Sequence, residues 1–134
     1  MRRLCAGIMM LAMLACGGDS ATSASAAVVG NWTLSTLNAT ALPYPFSGSG
    51  ANKSEVTGGA LTVTATSYSV VFSVRNTVNN VPTTTTSSDA GTVAISGSSV
   101  TLHSTVDATT TLTGTVSGNT LTLSETGFVY VFTR

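Results

Sequence analysis

Apolar and hydroxyl-bearing side chains alternate along this chain, and that alternation limits its fold more than any other feature. Leu61, Val63 and Ala65 interleave with Thr62, Thr64 and Thr66, and Tyr68, Val70, Phe72 and Val74 interleave with Ser69, Val71, Ser73 and Arg75. A period of two puts one set on a buried face and the other in water, as in a half-buried strand. Threonine suits the wet face because its branched Cβ favours extended backbone while its hydroxyl meets solvent. No segment beyond the leader carries a helical stripe, so an all-β domain is expected.

Eight strands can be read, at about 30–37, 57–65, 68–76, 84–95, 99–104, 108–116, 120–125 and 128–134. "GTVAISGSSVTL" (Gly91 to Leu102) and "GTVSGNTLTL" (Gly114 to Leu123) are hairpins, with Gly97 and Gly118 supplying the turns. Tight turns follow the second, fourth and sixth strands, whereas long loops are expected after the first (Asn38 to Val56) and the third. "TTTTSS" (Thr83 to Ser88) reads as a mobile rim or a loosely held strand start. In an up-and-down meander alternate connections lie at opposite ends, so the pattern predicts a cup with a closed floor and an open mouth. An even strand number lets first and last strands pair antiparallel and remove both edges.

That closure brings the only tryptophan, Trp32, to the same end of the barrel as the C-terminal Arg134. Phe128, Tyr130, Phe132 and Arg134 share one face of the last strand, and Trp32 and Leu34 share one face of the first. Trp32 and Arg134 are therefore read as the pair that closes the barrel, guanidinium over indole.

Gly30-Asn31-Trp32 resembles the G-x-W signature of lipocalins, whose last strand brings an arginine onto that tryptophan. With "TLSTLNATALPYP", "GALTV", the two Ser-Gly hairpins and the closing "YVFTR", residues 29 to 134 resemble bacterial lipocalin-like lipoprotein domains. The resemblance implies a small calycin-type barrel. No T-D-Y motif is present, and a body of about 105 residues is short for that family.

The N-terminus carries an address. Arg2 and Arg3 precede an apolar run from Leu4 to Ala15, which is of signal-peptide length and below the roughly 20 residues of a membrane span. Met13-Leu14-Ala15-Cys16 resembles a lipobox, which implies cleavage after Ala15 and palmitate-type acylation of Cys16. Ordinary secretion with a cut after Ala24-Ser25-Ala26 is the alternative. Residues 1–15 are thus read as signal peptide and 16–28 as lipid anchor and flexible linker. The expected location is the bacterial envelope, at the outer membrane or cell surface, with the lipid anchor as the membrane contact. Cys5 and Cys16 are the only cysteines, so the folded part has no disulfide to stabilise it.

Formal charge is zero over the whole chain, and a chain starting at Cys16 keeps three basic residues against five acidic. That balance argues against nucleic acid, which calls for a clustered basic face. A monomer is expected, with no cofactor and no metal.

Any pocket should open among the mouth loops. Tyr44 and Phe46, in "ALPYPFSGSG", are either a hydrophobic lid or a plug within the barrel. Phe72, Phe128 and Tyr130 point inward, as packing core or as ligand contacts, and Glu125 follows Leu121 and Leu123 in parity toward the rim. These six are the candidate ligand-binding residues. His103 stands alone on the outward face, and Asp89, Asp107 and Glu125 show no acid–base pairing in sequence. No catalytic residue is assigned and an enzyme is not expected. Two functions remain: a barrel that binds a small apolar or amphipathic molecule, or a filled barrel acting through its surface as an interaction or inhibitor module. An empty interior of a few hundred Å³ would favour the first.

Overall fold

A computed structural model describes residues 26–134. The expected signal peptide, Cys16 and the expected linker up to residue 25 lie outside the described residues. The strands are β1 (Gly30–Leu37), β2 (Thr40–Ala41), β3 (Tyr44–Ser49), β4 (Asn52–Val63), β5 (Ser67–Val78), β6 (Val81–Ser96), β7 (Ser99–Ser104), β8 (Thr111–Ser117), β9 (Thr120–Glu125) and β10 (Phe128–Thr133). β4 to β10 form an antiparallel meander, and β1 pairs with β10 on one side and β4 on the other. Eight strands therefore close into the expected up-and-down barrel, with β2 and β3 as additions.

Closure is set by register. Thr33 stands opposite Thr133 and Leu34 opposite Phe132, while Gly30 to Thr33 run against Val63 to Ala60. A bulge between Leu34 and Thr36 shifts the inward parity, so that Trp32, Leu34 and Leu37 are all buried. The core collects the inward members of each strand, among them Leu61, Val63, Tyr68, Val70, Val100, Leu102, Leu121, Leu123 and Phe132. The alternation in the sequence is thus the inside and outside of one wall.

The floor is sealed where the first and last strands of the barrel meet. Arg134 lies over the Trp32 ring, its guanidinium carbon 4.3 Å from the centroid, and Nη1 donates to the Val29 carbonyl at 3.1 Å. The indole Nε1 donates to the Val28 carbonyl at 2.9 Å, so the one polar atom of the buried ring is satisfied. Ala26 to Val28 form a single helical turn, and Val28, read from sequence as the end of a flexible linker, is fully buried. Gly30 takes a φ of 141°, where a Cβ would also press on the Arg134 guanidinium at 3.2 Å. The first letter of G-x-W is thus a steric requirement.

Three expectations about the mouth are corrected. The connection after the third expected strand is no long loop, because β5 and β6 continue to a two-residue turn at Asn79-Asn80. Both asparagines have positive φ, 51° and 65°, the type I′ geometry that matches strand twist. "TTTTSS" is accordingly neither rim nor loose start: every residue from Thr83 to Ser88 pairs with β5. The segment from Asn38 to Val56 is likewise no continuous loop but contains β2, β3 and the first part of β4. A bulge between Val56 and Gly58 divides β4, its second half closing the barrel against β1 and its first half pairing with β3. Beyond the barrel wall, β3, β4, β5 and β6 therefore continue as a ribbon.

On that ribbon Glu55 is buried and receives Lys53 Nζ at 2.9 Å and Arg75 Nη2 at 2.7 Å. Hydrogen bonds from Lys53 and then Arg75 outweigh burial and hold its carboxyl below the usual value.

Candidate ligand-binding cavity

Trp32 is buried at the floor beneath the Arg134 guanidinium, and the space above it is not filled. A cavity of about 260 Å³ lies within the wall. Leu61, Val70, Leu102, Leu123 and Phe132 form its deep apolar lining, and Val106, Asp107 and Thr110 of the β7–β8 loop stand at its mouth. An apolar cavity of about 150 Å³ already holds a benzene-sized ring, so this one has room for a small organic molecule. A second depression of about 190 Å³ lies above it, lined by Leu37, Phe46, Val56, Val74 and Phe128.

Phe72 and Tyr130 line both spaces, and their ring centroids are 5.7 Å apart. They form the partition between the inner cavity and the outer apolar step. Phe72 sits where it does because residue 59 is glycine: a Cβ there would come within 2.9 Å of its ring and 3.1 Å of the Leu34 Cβ. Tyr130 is held from the other side by Phe128, at 6.1 Å between centroids, and its hydroxyl donates to Glu125 Oε1 at 2.5 Å. Burial, and then the carboxylate beside it, push the Tyr130 phenol above its usual pKa.

The structure thus brings five of the six candidate residues to these two spaces. Phe72, Glu125 and Tyr130 line the inner cavity, and Phe46 and Phe128 join Phe72 and Tyr130 around the outer one. Phe46 is 47% exposed and sits at a bulge of β3, so it flanks the depression rather than plugging the barrel. Tyr44 lines neither space. Its hydroxyl accepts from Asn38 Nδ2 at 3.1 Å, and Asn38 also donates to the Gly127 carbonyl and accepts from the Val129 amide. Tyr44 is therefore a tie between β3 and the β9–β10 turn.

The polar side of the cavity escaped the sequence reading. Asp89 accepts Tyr68 Oη at 2.6 Å on Oδ2, and the Ala90 amide at 2.8 Å and the Ser104 hydroxyl on Oδ1. Ser104 in turn accepts the amides of Val106 at 3.1 Å and Asp107 at 2.9 Å, which fixes the loop at the mouth. Asp107 is itself engaged by Thr109, whose hydroxyl and amide hold its carboxyl below the usual value. Burial, followed by the neighbouring Asp89, pushes the Tyr68 phenol upward. The signal for these residues was present: Asp89 shares parity with Gly91 and Val93, and Ser104 with Val100 and Leu102. His103, of the opposite parity, is exposed and meets the Thr111 hydroxyl at 3.2 Å on the outer wall.

Compared with protein-family models, with curated proteins and with solved structures, the chain shows no match.

Proposed function

We propose that this protein is a lipocalin-like binding barrel that takes a small apolar or amphipathic molecule into its upper cavity. One observation carries the reading: a closed barrel retains about 260 Å³ of largely apolar space beneath its mouth. Folding gives up the contacts that larger side chains would make there, an expense that a bound molecule offsets. The inner wall supplies apolar area, and Tyr68, Asp89, Ser104 and Glu125 supply a few fixed polar groups. Binding rather than catalysis is the activity that fits this lining.

The lipobox-like sequence around Cys16 supports export and acyl anchoring, which would place the mouth within reach of molecules at a bacterial envelope. Native mass spectrometry of the protein purified from its own host tests the proposal. The expected result is a retained small molecule that is lost when Leu112→Trp fills the cavity. A bare chain of unchanged mass, together with unaltered stability in that variant, would move the function to the outer surface.

A further inference from the structure

The acidic residues of the barrel are distributed unevenly. Among the described residues there are four carboxylate side chains, and Glu55 takes both ion pairs, with Lys53 and Arg75. The other three, Asp89, Asp107 and Glu125, all line the inner cavity. The remaining described cation, Arg134, is committed to the floor over Trp32. Three carboxylates thus share one largely apolar space with no basic side chain in its lining.

From this placement we infer that the ligand is a protonated amine on a small apolar body, seated with its ammonium at Glu125. The inference rests on the binding function proposed above and names its ligand class. Asp89 is largely occupied, since its Oδ1 already accepts two hydrogen bonds and its Oδ2 one. Glu125 accepts Tyr130 Oη on Oε1 and has no hydrogen bond to Oε2 among the described residues. That oxygen is the open acceptor on the cavity wall. Tyr130 and Phe72 stand beside it with π faces that attract a cation, and Leu61, Leu102 and Phe132 receive the apolar body. An anion would meet the Glu125 carboxylate with no basic side chain in the lining to offset it, and a neutral molecule would leave that carboxylate without a counter-charge.

The test is a calorimetric titration of the intact protein with three matched probes: phenethylamine, 2-phenylethanol and phenylacetate. They share an aromatic body and differ in the charge of the head. The amine should bind about tenfold to a hundredfold more tightly than the alcohol, the range of a charge-assisted contact, and the acid should not bind. Glu125→Gln should bring the amine-to-alcohol ratio close to one, and Glu55→Gln, away from the cavity, should keep the wild-type ratio. Equal affinity for amine and alcohol in the wild type would overturn the charge inference while leaving a hollow binding barrel. Failure of all three probes, together with exclusion of benzene, would overturn the binding function itself. The wild-type ratio decides the matter even where a variant fails to fold.

Discussion

Trp32 concentrates three contacts in one side chain: core packing, a hydrogen bond to the Val28 carbonyl, and the Arg134 guanidinium on its face. Trp32→Ala should cost about 3–5 kcal/mol in chemical denaturation, because it opens a void at a floor that cannot collapse. Arg134→Ala should cost far less, about 0.5–1 kcal/mol, since the guanidinium is exposed. A second residue-scale effect appears in alkali. The phenols of Tyr68 and Tyr130 are held above their ordinary value of 10.0 in the fold. As pH rises through the unfolded value, the unfolded chain releases these protons first, so stability falls with rising pH. Tyr130→Phe should flatten that fall, measured as midpoint against pH from about 9 to 11. Trp32 and Arg134 were legible because parity and chain order fix them together. Asp89 and Ser104 obey the same parity but are polar, and an alternation read from apolar residues alone passes over them.

Among the elements, the strands that bury a hydrophobic face were legible and those that do not were missed. β7, β9 and β10 match the expected spans within a residue or so, since each has alternate positions in the core. The ends of β5 and β6 beyond the wall carry Asn, Thr and Ser on both faces, so periodicity has nothing to register there. Their signal was the turn: two adjacent asparagines are suited to the paired positive φ of a type I′ hairpin. Asn80→Val should therefore destabilise by roughly 1–2 kcal/mol, whereas Asn80→Gly should be close to neutral, both read by urea denaturation. The Gly-Ser run before β4 reads as loop by composition, yet it is a strand because the split of β4 gives it a partner.

For the molecule as a whole, closure and hollowness come from separate causes. Closure follows from strand number and from the pairing of β1 with both β10 and β4. Hollowness follows from side-chain volume, and alternation carries no information on whether inward residues from opposite walls meet. At the floor they do, around Trp32; above it they leave a space whose walls include Leu102, Leu123 and Phe132. A ligand function depends on that difference between the two halves. Diffraction from crystals held under xenon pressure measures it directly, because xenon enters apolar cavities that lack other occupants. Xenon density is expected between Leu61, Leu102 and Phe132 inside a closed eight-stranded wall. An interior filled by side chains with no xenon site, or a sheet open between β1 and β10, would contradict it.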